Sequence, residues 1–159
     1  MAREYAADDE FRGLLILDTY AYSPEKGDPK DIEINDRDDE LFEKAVSLAA
    51  GLIARFINDG ASVEFLTPEI HIQADSGDGH LYRILESLAI IRRQTTANLF
   101  HFADSGLRDA RAPGGFASVS PAVALQKLIS NQAFCVILTQ LSEEKIPTEI
   151  RRFARVISF

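Results

Sequence analysis

The chain has 159 residues, room for one domain with a proper core, and its 46% apolar and 26% charged content is ordinary for a globular protein. Its 17 Lys and Arg stand against 25 Asp and Glu, and the net charge of −8 argues against nucleic-acid and anionic-membrane partners, which reward basic patches. A single cysteine, Cys135, excludes an intrachain disulfide and sits in an apolar run, Ala-Phe-Cys-Val-Ile-Leu, as a buried structural thiol would.

The amino terminus, Met-Ala-Arg-Glu-Tyr-Ala-Ala-Asp-Asp-Glu, has no signal-peptide core and reads like the tail of a preceding element. Strand one is expected over Gly13 to Thr19, where a continuous apolar run suits a central strand covered on both faces. Residues 20–38 form a long polar loop with Pro24, Gly27, Pro29 and many acids, the kind of length that goes with function or mobility. Much of the chain's acid lies in Asp8-Asp9-Glu10 and in the run from Asp28 to Glu40, read as solvated surface rather than a cation site.

Helix one is expected from about Asp39 to Asn58. Leu41, Phe42, Ala45, Val46, Leu48, Ala49, Leu52, Ile53, Phe56 and Ile57 keep the helical period, and Asp59-Gly60 is a stop signal. Strand two follows over Ala61 to Leu66. Thr67-Pro68 is too short for a crossover, so strand three, Glu69 to Ala74, must run antiparallel, and its alternation suits a wetted edge. Helix two is expected over His80 to Arg93 with a stripe of Leu81, Ile84, Leu85, Leu88 and Ile91. Residues 97–103 read as extended and 104–118 as loop. Helix three starts at Ser120-Pro121 and ends near Asn131. Ala133 to Thr139 is a second central strand, followed by a short helix near Pro147 to Phe153 and a last strand, Arg155 to Phe159. The order predicts a single α/β domain over 1–159, Rossmann-like and three-layered. Its sheet is mostly parallel with one antiparallel edge strand.

An aspartate ends strand one at Asp18. The helix Leu-Phe-Glu-Lys-Ala-Val-Ser-Leu-Ala-Ala-Gly-Leu-Ile follows, then a Gly-x-Ser-Val strand. With these features the chain resembles a von Willebrand factor A-type domain. More narrowly, it resembles the C-terminal half of the bacterial family called domain of unknown function fifty-eight. Arg3-Glu4-Tyr5 stands where that family has an Arg-Glu-aromatic segment, Phe42 to Leu52 matches its helix pattern, and Leu85 to Ala89 matches a recurring Leu-Glu-x-Leu-Ala. The resemblance implies a piece of a longer protein, in a family whose members often carry N-terminal membrane segments. Their genes lie beside those of MoxR-type AAA+ ATPases, and an assembly or chaperone-like binding role is the usual suggestion.

The resemblance also implies where a metal-ion-dependent adhesion site would lie. An Asp-x-Ser-x-Ser loop, a threonine from a later loop and an aspartate after the fourth main strand would offer Mg²⁺ hard oxygens. Asp18 stands in the first place, but Tyr20 and Tyr22 replace the serines. Only Ser118 or Ser120 could serve as the threonine, and Thr139-Gln140 puts an amide where the second carboxylate belongs. The expectation is therefore no bound metal and no cofactor, with Asp18 capping loop N–H groups.

No glycines follow strand one to admit a phosphate, and no second acid stands two residues after Asp18. His71, His80 and His101 lack ligand spacing and are assigned surface or helix-end roles. Tyr20 and Tyr22 are either interface anchors or a filling over the sheet end. The expected function is a non-enzymatic protein-interaction module. Its rim would comprise Asp18, Tyr20, Tyr22, Ser118, Ser120, Thr139 and Gln140, and its partner would be another protein or the missing N-terminal part of its own chain. The alternative is a Mg²⁺-dependent adhesion domain, and a hydrolase using Asp18 ranks last because no base or nucleophile pair is visible. The domain itself is expected in the cytoplasm, with any membrane tether in segments outside it.

Overall fold

A computed structural model describes residues 11–21, 36–94, 134–146 and 148–159. In chain order the elements are β1 (Arg12–Leu17), α1 (Asp36–Asn58), β2 (Ser62–Leu66), β3 (His71–Asp75) and α2 (Asp78–Ile90). They continue with β4 (Phe134–Thr139), a 3-10 turn (Glu143–Lys145), α3 (Thr148–Arg151) and β5 (Arg155–Ser158). The five strands form one sheet in the order β3-β2-β1-β4-β5. β1 is parallel to β2 and β4, β4 is parallel to β5, and β3 is antiparallel to β2. This is a mixed, Rossmann-like α/β architecture with the antiparallel strand at one edge.

Period-two alternation explains the two cores. Leu15 and Leu17 point to the side carrying α1 and α2, with Val63, Phe65, Val136 and Leu138. Leu14 and Ile16 point the other way, with Cys135, Ile137, Ile146 and Ile150. Because both faces of β1 are covered, its run is apolar at every position from Leu14 to Leu17, all four fully buried. On α1, Ala45, Ala49, Ile53 and Ile57 recur at i and i+4 and face the sheet, while Leu48 stays exposed. Burying each large aliphatic side chain of this kind contributes about 1.5–3 kcal/mol.

The end of α1 follows from Gly60, whose φ of 88° is the left-handed conformation that glycine adopts without strain. Ala61 N–H donates to the Phe56 carbonyl at 2.9 Å and Gly60 N–H to that of Ile57 at 3.0 Å, a Schellman closure. The β2–β3 connection is equally local. Thr67 N–H donates to the Ile70 carbonyl at 2.8 Å, and Thr67 Oγ1 accepts from the N–H groups of Glu69 and Ile70.

Several boundaries differ from the sequence reading. α1 begins at Asp36 rather than Asp39, so the acids expected at the end of the loop enter its first turn, where negative charge complements the helix dipole. β1 stops at Leu17, leaving Asp18 and Thr19 in the connection beyond it. α2 ends at Ile90, so Arg93 leaves the helix. β3 is shifted to His71–Asp75 because the Thr67 turn uses Glu69 and Ile70. Residues 97–133, with the expected extended segment, loop and helix three, lie outside the described residues, except that strand four begins at Phe134. Among the described residues no helix is long and apolar enough to cross a membrane.

Candidate functional site

The chain passes from β1 through α1 to β2 on one side, and reaches β4 and β5 on the other. Strand order therefore reverses between β1 and β4, and in open α/β sheets the crevice beyond the carboxyl ends at such a point is where ligands bind. The residues at that point are Asp18 and Thr139.

Asp18 N–H donates to the Leu138 carbonyl at 2.8 Å, extending the ladder one residue past β1. Its side chain is 1% exposed, and each oxygen accepts a hydrogen bond. Tyr20 N–H donates to Oδ1 at 3.2 Å, and the Thr139 hydroxyl donates to Oδ2 at 2.8 Å across 121 residues of sequence. Thr139 Oγ1 in turn accepts from Leu141 N–H at 3.1 Å. One buried carboxylate and one buried hydroxyl thus hold the loops that leave β1 and β4. A buried network with its members partnered fixes geometry because any broken bond leaves a desolvated group behind.

A second polar group closes the crevice from the α2 side. Gln94 N–H donates to the Thr19 carbonyl and Ala21 N–H to the Gln94 carbonyl, both at 2.8 Å, so Tyr20 and Gln94 form an isolated parallel bridge. The preceding Arg93 side chain is only 4% exposed. Its Nη2 donates to Gln140 Oε1 at 2.8 Å, and its Nη1 reaches Asp39 Oδ1 on α1 at 3.4 Å. Thr19 Oγ1 and Gln94 Oε1 are buried here without a hydrogen-bond partner among the described residues.

Of the rim residues expected from sequence, Asp18, Tyr20, Thr139 and Gln140 come together at the switch point. Tyr22, Ser118 and Ser120 lie outside the described residues. Arg93 and Gln94 were not anticipated, because residues just past a helix carry no periodic signal that would place them over a distant strand end. Of the surface and helix-end roles expected for the histidines, His80 takes the helix end, in the first turn of α2, and is buried there. It is 3% exposed, with Nε2 2.7 Å from the Val63 carbonyl, and it pins the first turn of α2 to β2. His71 does lie at the surface, but its Nε2 is 2.6 Å from an oxygen of the buried Glu64, a charge the reading of strand two did not weigh.

Among the described residues no group of three or more His, Cys, Asp and Glu is placed to hold a metal ion. Cys135 is buried, and desolvation pushes its thiol from 9.0 up to about 12, so the nucleophilic thiolate is not formed near neutral pH. Comparison with protein-family models, curated proteins and solved structures finds no match to this chain.

Proposed function

We propose that this chain is a von Willebrand A-like interaction domain whose adhesion site has been rebuilt as a metal-free clasp, and that its rim binds a protein partner without catalysis. The observation that carries the reading is the engagement of both Asp18 oxygens, by Tyr20 N–H and by the Thr139 hydroxyl. A divalent cation would have to displace the Thr139 hydroxyl from a carboxylate that is itself buried. The Arg93 guanidinium adds a fixed positive charge beside the same strand end, bonded to the amide of Gln140 where a second carboxylate would serve a cation. The mostly parallel sheet with one antiparallel edge is the sheet that the resemblance implies.

On this reading Tyr20 sits half-buried at the mouth of the crevice, the position of an aromatic anchor with a polar tip. Tyr22, Ser118 and Ser120 belong to the same proposed rim. The partner is a protein or another part of the full-length chain, in a cytoplasmic assembly or chaperone-like system with a MoxR-type AAA+ ATPase. The alternative, a Mg²⁺-dependent adhesion domain with water in place of the lost ligands, would draw among the described residues on Asp18 and Thr139 as hard-oxygen groups.

A titration of the purified domain with Mg²⁺ and Mn²⁺, followed by NMR, separates the two. The proposal expects no saturable effect centred on Tyr20 and Leu141. Saturable binding that Asp18→Ala abolishes would restore the ion-dependent site.

A further inference from the structure

The two edges of the sheet are built differently. β3 exposes His71, Gln73 and Asp75 along its length, and its pairing with β2 slips between Val63 and Phe65. Polar side chains and an irregular register are the usual protection of an edge against further pairing. β5 has neither. Its pairing with β4 is regular from Arg155 to Ser158, and Val156 and Ile157, on opposite faces, are both only half-buried.

The ladder also fixes which backbone groups of β5 are spoken for. Phe159 N–H donates to the Thr139 carbonyl at 3.1 Å. In a parallel pair that alternation turns the N–H and C=O of Ile157 toward β4 and those of Val156 and Ser158 away from it. Among the described residues no strand lies beyond β5. The outward donors and acceptors of Val156 and Ser158 therefore form a short template for one more strand.

The approach to that template is basic. Arg151, Arg152 and Arg155 lie within five residues of each other at its start, in a chain whose net charge is −8. None forms an ion pair among the described residues, and Arg151 Nε is buried without a hydrogen-bond partner. Phe153, between them, is 54% exposed. A second copy of this chain pairing through β5 would bring the same arginines into one interface, so like charge disfavours it.

We infer that β5 is a docking edge for an acidic extended segment of a partner protein, which adds as a strand beside Val156 and Ser158 and places carboxylates against Arg152 and Arg155. Backbone pairing supplies the affinity in this mode and the arginines supply the preference for acid. The proposed edge adjoins the switch-point rim, since Ser158 Oγ donates to the Leu141 carbonyl at 2.8 Å, but the inference rests on the backbone of β5 and its arginines rather than on the rim.

The test uses two short synthetic peptides of alternating Val and Thr, one bearing Glu at its end residues and the other Lys. Binding is read by fluorescence anisotropy and by amide exchange. The acidic peptide is expected to bind and to slow exchange at Val156 and Ser158, and the basic peptide is not. Charge reversal by R152E with R155E at these exposed positions is expected to weaken the acidic peptide at least about tenfold. Val156→Pro removes an outward donor and is expected to abolish binding; if that variant fails to fold, N-methylation of alternate peptide residues tests the same bonds from the other side. Equal binding of both peptides, or binding without protection of Val156 and Ser158, would overturn the inference. So would self-association through β5 detected by sedimentation.

Discussion

β1 and β4 lie side by side, yet the lower and upper ends of the pair are held by different physics. At the lower end Gly13 is the register partner of Phe134, and the ring lies over the glycine so closely that a Cβ built there would fall inside it. Phe11 stacks on that ring with centroids 4.9 Å apart, and Phe56 from α1 meets it at 4.4 Å. Among the described residues the upper end holds no such stack of rings. A buried carboxylate and hydroxyl join the two strands instead, and Arg93 and Gln94 reach over from α2. Shape fixes the lower end without specifying chemistry. The Asp18–Thr139 clasp at the upper end fixes geometry while its bonds are made, which is how a site is kept in register on a scaffold. The lower end is thus a foundation, and the upper end is where binding chemistry can reside.

The largest effect should come from closing the space at the foundation. Gly13→Val drives a branched side chain into the Phe134 ring, and overpacking of this kind costs about 3 kcal/mol. Urea denaturation should show the loss, and Phe134→Ala in the same chain should restore part of it, since neighbouring sites couple.

At the upper end Thr139→Val keeps the shape but removes the donor to Asp18 and the acceptor for Leu141 N–H. The expected loss is about 2 kcal/mol. Thr139→Ser keeps the hydroxyl and should recover most of it. If valine and serine behave alike, packing rather than the polar clasp holds this end, and the contrast between the two ends disappears.

Smaller is Phe11→Ala, which gives up one half-exposed ring of the stack and should cost about 1 kcal/mol. Its effect should largely vanish in a Phe134→Ala background.

At neutral pH the least effect belongs to Cys135, on the rear face between the two ends. Its folded-state thiol lies at about 12, above the ordinary 9.0, so the folded chain keeps a proton that the unfolded chain releases. The stability this confers is fully present below 9.0 and is lost as pH rises toward about 12. Near neutral pH, thiol-reagent kinetics should show no reaction with the native protein and full reaction once it is unfolded. A fast native reaction would place the thiol outside the core.

Much of this was legible in the sequence because the governing signals are local or periodic. The apolar runs of β1 and β4, the i and i+4 pattern of α1, the Asp59-Gly60 stop and the two-residue Thr67-Pro68 link each carry their own physical cause. Asp18 could be placed at a strand end on the same grounds. The rim reading set Thr139 and Gln140 beside Asp18, across 121 residues of sequence, but the bond between hydroxyl and carboxylate could not be read, nor could Arg93, which looked like the end of a helix. Elsewhere, Glu64 looked like one polar residue in an apolar strand. Gly13 resembled an ordinary strand start because nothing local reveals the ring that covers it. Contacts of this kind are fixed by topology, and only the folded sheet brings them together.

The central claim is that Asp18 serves the fold by clasping β4. A double-mutant cycle with Asp18→Ala and Thr139→Val, read by urea unfolding, tests it most directly. The account predicts that the double variant is more stable than the sum of the single losses implies, by at least about 1 kcal/mol, because each single change already breaks the shared bond. Losses that add to within about 0.5 kcal/mol would contradict it, leaving the Asp18 carboxylate energetically independent of Thr139.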